Sequence, residues 1–392
     1  MKKSHLLSLL SLIALVAACL LWASPRSNLK FSGSHPVTQN ATGSSSVKDS
    51  ATSENSINNN ADTAHLSLGA MSIHQSIEAA LMELQSGDPL RQQAALEMLN
   101  SLLSGDGHDA KAAIAAIMAF LRSGRDAQTG ESFLVGEGGV LDHAPTLRSL
   151  LMDHLGSLCL EAGQMDALEI AREVLGKFGS ADEWAVCLRN TAWLDANSTS
   201  FLAQKMEQML SHEAWLQNPS RGLLESFDVI GAIGATALMP QLERFLLAES
   251  EGPLWRAGVV ALDQLAANHP QETMEYLTDH PDFLQDRPLQ RADLFAKADM
   301  ANNAQRTLIE AYLGNPAISA EERGKVVGGL ALQGGFLSHN LLTRPVNFTP
   351  ESEQQRLAFL HELGSQWRGA NRFPDLNPYI DDLLLTTQPP TE

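Results

Sequence analysis

Residues 252–267 constrain the fold of this chain more than any other stretch, because they predict one helix with a clear start and stop. Pro253 suits the first helical position, where a backbone N–H would have no intrahelical partner. Asn268, His269 and Pro270 then provide the stop. The apolar residues between them recur at three- and four-residue steps and share one face: Leu254, Ala257, Ala261, Leu262, Leu265 and Ala266. One helix cannot bury this stripe alone, so the pattern predicts a partner helix.

Related helix starts recur along the chain. Each start has a proline followed by apolar residues at helical spacing. These prolines are Pro89, Pro145, Pro219, Pro253 and Pro288. The steps from 219 to 253 and from 253 to 288 are 34 and 35 residues. The step from 145 to 219 is 74 residues, about two periods, and residues 180–184 predict another helix start near its midpoint. A period in this range predicts an array of helix–turn–helix units.

The pattern Pro-x-x-Arg-x-x-hydrophobic-x-x-Leu, with Pro253, Arg256, Val259 and Leu262, resembles a helix start of HEAT-like (armadillo-type) helical repeat proteins. The resemblance extends loosely over residues 72–340 and is strongest at 88–104 and 252–267. It implies an α-solenoid with a binding surface, here in an exported bacterial protein. The tetratricopeptide pattern is the closest rival at this period, but its Trp-x-x-Leu-Gly-x-x-Tyr core is missing from the sequence.

From residue 72 onward the hydrophobic pattern is almost wholly helical, so we predict an all-α fold with no sheet beyond short pieces. Helices are predicted at 72–85, 89–103, 110–121, 145–161, 165–178, 182–195, 200–211, 221–234, 236–248, 253–267, 270–278, 288–300, 304–313, 319–333, 350–367 and 379–385. We assign residues 72–385 to an α-solenoid of HEAT-like helical hairpins and residues 386–392 to a disordered tail.

The N-terminus has the pattern of a targeting segment. Lys2 and Lys3 precede an uncharged run of 18 residues, 6–23, within residues 1–23. The run is typical of a signal anchor, of a signal cleaved after Ala23, or of a lipoprotein signal in which Cys19 is acylated. All three place the remaining chain outside the cytoplasm, in the periplasm or at the cell surface. Residues 24–71 are rich in Ser, Asn and Thr, which predicts a disordered linker, and a linker here favours an anchored N-terminus.

The chain is acidic, with 46 Asp and Glu against 27 Lys and Arg and a formal net charge of −19. An acidic surface repels phosphate backbones, so we expect no nucleic-acid partner. The sequence has no zinc-site spacing of Cys and His and no cofactor signature. Cys159 and Cys187 fall on apolar helix faces, where they are either buried small side chains or a disulfide pair.

Charged and loop residues carry two further predictions. Arg148, Arg256 and Arg291 each follow a proline by three residues, and we expect them to pair with acids or carbonyls of a neighbouring repeat. Between 123 and 144 the helical pattern fails in a glycine-rich loop, which carries the apolar residues Phe133, Leu134 and Val135 between polar neighbours. These three residues either dock on adjacent helices or form part of a partner site.

Together these features favour a non-enzymatic protein–protein interaction scaffold, tethered to a membrane by its N-terminus, with another protein as its partner. The alternative is an exported α/α-barrel glycoside hydrolase or polysaccharide lyase with paired carboxylates. That class of enzyme usually relies on aromatic platforms. The 3 Tyr and 6% aromatic residues of this chain weigh against it.

Overall fold

Helices dominate the computed structural model, which describes residues 72–104, 109–247, 251–332, 340–343 and 349–388. The helices are α1 (Ile73–Leu84), α2 (Pro89–Ser104), α3 (Ala110–Arg122), α4 (Leu147–Ala162), α5 (Asp166–Leu175), α6 (Ala181–Leu194), α7 (Thr199–Leu210), α8 (Glu213–Gln217), α9 (Arg221–Ser226), α10 (Asp228–Ile233), α11 (Met239–Leu246), α12 (Pro253–Asn268), α13 (Pro270–Asp279), α14 (Pro288–Phe295), α15 (Asn303–Leu313), α16 (Ala320–Gly329), α17 (Pro350–Gly369) and α18 (Asn377–Thr386). Short 3₁₀ turns lie at Glu137–Gly139, Thr236–Leu238 and Pro374–Leu376. The predicted all-α class is confirmed.

Prolines and hydroxyl side chains fix the helix starts. Pro253 is the first residue of α12, as predicted. Pro145 and Pro219 instead lie one residue before the N-caps Thr146 and Ser220. The Thr146 hydroxyl accepts the Ser149 amide at 3.1 Å, so the capping hydroxyl, not the proline, defines the start of α4.

The helices pack in a repeat-like manner. Within one series α4 packs on α6, α6 on α9, α10 on α12, α12 on α14, α14 on α16 and α16 on α18. Helix α12 buries the predicted stripe residues Ala261, Leu262, Leu265 and Ala266, and Leu254 and Ala257 are partly buried against the same core. The stripe of one helix is therefore covered by helices on both sides, as an amphipathic repeat requires.

Several predicted helices differ in extent from the structure, and two of them are instructive. The predicted helix 221–234 is divided at Phe227 into α9 and α10. The predicted helix 288–300 ends at Phe295, and beyond this end the Asp299 carboxylate accepts the Ala301 amide at 3.0 Å in a turn. Short polar side chains offer the backbone such local hydrogen bonds, and hydrophobic periodicity does not register them.

The glycine-rich loop contains a small antiparallel hairpin of β1 (Leu134–Val135) and β2 (Leu141–His143). Leu134 is opposite His143, and Val135 is opposite Leu141, with an irregularity between the two pairs. Upstream, Gln128 forms an isolated bridge with Thr146. The stretch between α3 and α4 is therefore folded against the start of α4.

The two ends of the chain carry predictions that the structure does not address. Residues 1–23, the lipidation candidate Cys19 and residues 24–71 lie outside the described residues, as do residues 389–392. None of the helices in the described part of the chain is long and apolar enough to cross a membrane. At the other end, α18 reaches Thr386 and Thr387 is buried.

Candidate functional site

The three apolar loop residues alternate between the core and the surface. Phe133 and Val135 are only 2% and 4% exposed, whereas Leu134 is 39% exposed. Successive side chains of an extended strand point to opposite sides, which accounts for the alternation. The burial fits the docking alternative for Phe133 and Val135. A partner contact through Leu134 stays a prediction.

A buried polar network lies beneath the hairpin. The fully buried Arg189 of α6 forms an ion pair with Asp153 of α4. Its Nη1 also donates to the Gly139 carbonyl at 2.7 Å, and its Nη2 donates to Asn190 Oδ1 at 2.7 Å. Asp153 Oδ1 in turn accepts the Leu141 amide at 3.0 Å. The Arg189 guanidinium group and the Asp153 carboxylate thus join two helices to the C-terminal side of the hairpin turn.

The charge of Arg189 is well compensated. Its guanidinium carbon lies 4.1 Å from the centre of the Trp193 ring, a distance that gives a cation–π contact. Removing an arginine and a carboxylate from water is costly unless both are paired and hydrogen-bonded. Since Arg189 and Asp153 meet both conditions, the network holds the hairpin in one position on α4 and α6.

A short non-helical segment, residues 340–343, lies against the same region, and we name it the strap. Its Leu341 side chain is fully buried and its Asn340 is 8% exposed. The consecutive amides of Leu342 and Thr343 donate to Asp228 Oδ2 at 2.7 and 2.9 Å. Asp228 is the first residue of α10 and is itself only 5% exposed. The buried Leu341 side chain and two backbone N–H groups therefore help to hold the strap in place.

Gly139 connects the hairpin to the strap. Its φ is +84°, in the left-handed region that favours glycine. A Cβ at this position would lie 2.2 Å from the Leu341 carbonyl oxygen, which is closer than a non-bonded carbon atom can approach. The strap can therefore lie where it does only because residue 139 has no side chain.

The strap leaves buried polar atoms unpaired. Within the described part of the chain, Asp228 Oδ1 and Thr343 Oγ1 have no hydrogen-bond partner. The same holds for both amide atoms of Gln264 on α12, a residue that is 5% exposed. Gln264 faces α10, because a Cβ at Gly231 would lie 2.8 Å from the Gln264 Cβ. Gly231 follows Asp228 by three residues, so the two share one face of α10.

A separate cavity of about 280 Å³ is lined by residues of α11, α12, α14 and α16. Its apolar lining includes Leu262, and its charged residues are two aspartates and two lysines. Lys297 Nζ is 2.7 Å from Asp263 Oδ1, and Lys325 Nζ is 3.1 Å from Asp293 Oδ1. Each carboxylate of this cavity is thus paired with a lysine.

The two described cysteines, Cys159 and Cys187, are both unbonded thiols buried in the core. The Cys187 thiol is 3.8 Å from the sulfur of Met152. Burial raises the pKa of both thiols, which favours their neutral form. Of the two sequence alternatives, the structure has the buried small side chains.

Two of the three predicted arginine anchors join neighbouring helices or loops. Arg148 of α4 donates two hydrogen bonds to Glu183 of α6, at 2.9 and 3.3 Å. Arg291 donates to the Pro281 carbonyl. Arg256, in contrast, is exposed on α12. The prediction therefore holds for Arg148 and Arg291, whereas the Arg256 side chain has no acid or carbonyl partner among the described residues.

Sequence reasoning placed the loop but missed the strap. Leu341 and Leu342 are one of two apolar pairs, with Phe336 and Leu337, between the predicted helices at 319–333 and 350–367. Such a pair is a weak signal that a loop docks on a core. The position of its acceptor, Asp228, depends on a contact across 114 residues, which no local pattern encodes.

Among the described residues, no group of three or more His, Cys, Asp and Glu side chains is placed to hold a metal ion. The features that the geometry brings together are thus the hairpin, the buried Arg189 network and the strap on Asp228. No protein family, curated protein or solved structure matches this chain.

Proposed function

We propose that this protein is a non-enzymatic protein–protein interaction scaffold. The observation that supports the proposal most directly is the repeat-like packing of α4, α6, α9, α10, α12, α14, α16 and α18. Stacked helical hairpins create an extended surface without a buried chemical centre. On this proposal residues 72–385 form an α-solenoid of HEAT-like hairpins, and the Arg148–Glu183 pair is one of the links between hairpins.

The proposed scaffold is tethered to a membrane by its N-terminus and faces the periplasm or the cell exterior. The support is the basic start and uncharged run of residues 1–23, followed by the Ser/Asn/Thr-rich residues 24–71. Fractionation of cells that produce the full chain, or a version beginning at Ser72, tests the tether. Equal recovery of both versions in the soluble fraction would contradict it. Cys19→Ser removes the lipid only if the anchor is a lipoprotein signal.

The scaffold role is tested by affinity capture. The full chain is extracted from membranes in mild detergent, and bound proteins are compared with those bound to a version lacking residues 72–385. We expect a protein that is enriched only by the full chain and that binds the purified full chain directly. A full chain that retains no specific protein in either assay would contradict the scaffold proposal.

The hydrolase or lyase alternative requires two carboxyl groups that face each other across a sugar. The two acids of the 280 Å³ cavity, Asp263 and Asp293, are instead each paired with a lysine at 2.7 and 3.1 Å. For this reason we favour the scaffold. Polysaccharide cleavage that is lost in both Asp263→Asn and Asp293→Asn would favour the enzyme.

A further inference from the structure

We infer that the strap occupies a peptide-binding groove, and that the natural ligand of this groove is a short segment of a partner protein. The strap contacts Gly139 of the hairpin and Asp228 of α10, and Gln264 of α12 lies beside Gly231, one turn along α10 from Asp228. The inference rests on the proposed scaffold function and specifies where on the scaffold the partner binds. On this view the strap competes with the partner in cis.

The contacts of the strap define the chemistry that the groove recognises. Leu341 supplies one fully buried apolar side chain, which gives side-chain selectivity. Asp228 Oδ2 accepts the next two amides, of Leu342 and Thr343, which any residue other than proline can provide. Gly139 leaves room for the Leu341 carbonyl. The partner segment therefore carries an apolar residue followed by two residues that are not proline.

The fit of the strap is incomplete, and this is the reason to regard it as a replaceable occupant. In the described structure Asp228 Oδ1, Thr343 Oγ1 and the Gln264 amide are buried without hydrogen-bond partners. Buried polar groups in folded proteins are nearly always paired, and unpaired ones are costly. A segment that donates to Asp228 Oδ1 or pairs with Gln264 would therefore bind more tightly than the strap does.

A partner segment is a better match for the groove than a second copy of the chain. The described strap residues bind as one extended segment, through the buried Leu341 side chain and the consecutive amides that donate to Asp228. Recognition through two backbone amides and one apolar side chain is typical of peptide binding. Dimerisation through exchanged straps is thus an outcome that the experiment must separate.

The test uses the full chain in detergent and a fluorescent peptide of residues 338–345, whose sequence contains the strap. The Leu341→Ala variant loses the buried side chain that holds the strap in the groove of its own chain, so the groove becomes available to the peptide. We expect this variant to bind the peptide at least tenfold more tightly than the wild-type chain. A second peptide, N-methylated at the amide of Leu342, keeps every side chain but loses one donor, and it should bind at least tenfold more weakly. Equal binding of the two peptides, or no binding to Leu341→Ala, would overturn the inference.

The acceptor is tested with a matched pair of variants in the Leu341→Ala background. Asp228→Asn should weaken peptide binding at least tenfold, because a neutral amide oxygen is a weaker acceptor for the two N–H groups than a carboxylate. Asp182→Asn is the control: Asp182 also accepts two bonds, from the Ser220 hydroxyl and the Gly222 amide, both at 2.7 Å, but away from the strap. It should bind the peptide as its parent does. Equal losses in both variants would indicate general destabilisation and contradict the groove.

A measurement on the wild-type chain avoids dependence on Leu341→Ala. Saturating peptide should displace the strap and accelerate hydrogen exchange at the Leu342 and Thr343 amides. The inference that a partner protein occupies the groove would be overturned by unchanged exchange at saturation. It would also be overturned if the wild-type chain formed dimers that Leu341→Ala abolishes.

Partner capture distinguishes the failure of this inference from the failure of the proposed function. If a captured partner binds Asp228→Asn as well as it binds the wild type, the groove inference is refuted and the scaffold proposal is kept. If no variant captures any protein, the scaffold fails whatever the peptide does.

Discussion

Arg189 carries more of the local structure than any other charged side chain near the hairpin. It is fully buried, yet it contacts a carboxylate, a backbone carbonyl, a side-chain amide and an aromatic ring. The planar guanidinium group can donate in several directions at once, and lysine cannot reproduce that geometry. The residue therefore acts as a structural cross-link between α4, α6 and the hairpin.

We predict that Arg189→Met destabilises the protein by about 3–5 kcal/mol, because Asp153 would remain buried without its partner. Urea denaturation followed by circular dichroism measures the change. Arg368→Met is the control, since the Arg368–Asp381 pair is 44% and 51% exposed. Its loss should cost less than about 1 kcal/mol. Similar small losses in both variants would show that the buried network is not a cross-link.

Alanine variants of the neighbouring Gly138 and Gly139 distinguish the effect of backbone strain from the effect of contact with the strap. Gly138 and Gly139 have φ values of +78° and +84°, so alanine costs about 1–2 kcal/mol at either position. A Cβ at Gly138 meets open space, whereas at Gly139 it meets the Leu341 carbonyl. We predict that only Gly139→Ala accelerates hydrogen exchange at Leu342 and Thr343. Equal exchange in both variants would contradict the close contact between hairpin and strap.

At the scale of elements, the hairpin is part of the core. Replacing residues 132–140 by a short Gly/Ser linker removes the buried Phe133 and Val135 and the carbonyl that Arg189 contacts. We predict a loss of several kcal/mol, since truncating one buried Phe alone typically costs about 3–5 kcal/mol. Thermal unfolding measures it. Unchanged stability with lost partner capture would instead favour the hairpin as a partner site.

Glu225 of α9 makes the stability of the fold depend on pH, and the direction of this dependence can be predicted. Burial raises the pKa of Glu225 above its ordinary value of 4.5, in spite of its pairing with Arg221. The charged form is therefore disfavoured in the fold, and stability decreases as the pH rises from 4.5 through the raised pKa. We predict that Glu225→Gln raises Tm at pH 7 by about 1–2 °C and that the gain disappears below pH 4.5.

Glu353 provides the control of opposite sign. The hydrogen bond from Arg356 lowers the pKa of Glu353, so its carboxylate stabilises the fold above pH 4.5. This stability is lost as the pH falls through the lowered pKa. Glu353→Gln should therefore lower Tm at pH 7. Shifts of the same sign in the two variants would refute the burial argument for Glu225.

How well an element can be predicted depends on how far apart in sequence the interacting residues are. The α12 stripe and the start at Pro253 are local, and the sequence predicts both. The break at Phe227 and the early end at Phe295 depend on packing and on turn hydrogen bonds. Hydrophobic periodicity reveals neither the break nor the early end. It also does not reveal that Phe133 is buried beside an exposed Leu134. The strap groove was beyond prediction because its acceptor and donors are far apart in sequence.

At the scale of the whole molecule, most helix contacts are between near neighbours in the chain, as between α14 and α16 or α16 and α18. Damage at one end should therefore stay local. We predict that a version ending before Thr349 shows faster hydrogen exchange in α14–α16, because α18 no longer covers α16. Exchange in α4–α6 should not change. A uniform increase along the chain would indicate one cooperative unit.

The contact between Asp228 and Leu342 closes a loop of 114 residues. Closing a long loop has an entropic cost, and contacts of this range form slowly. During synthesis the Asp228 carboxylate leaves the ribosome well before the amides that it accepts. At about 5–20 residues per second, the delay is on the order of 6–23 seconds. A nascent chain thus exposes Asp228 before it has the segment that occupies its groove, and another polypeptide has the first opportunity to bind there.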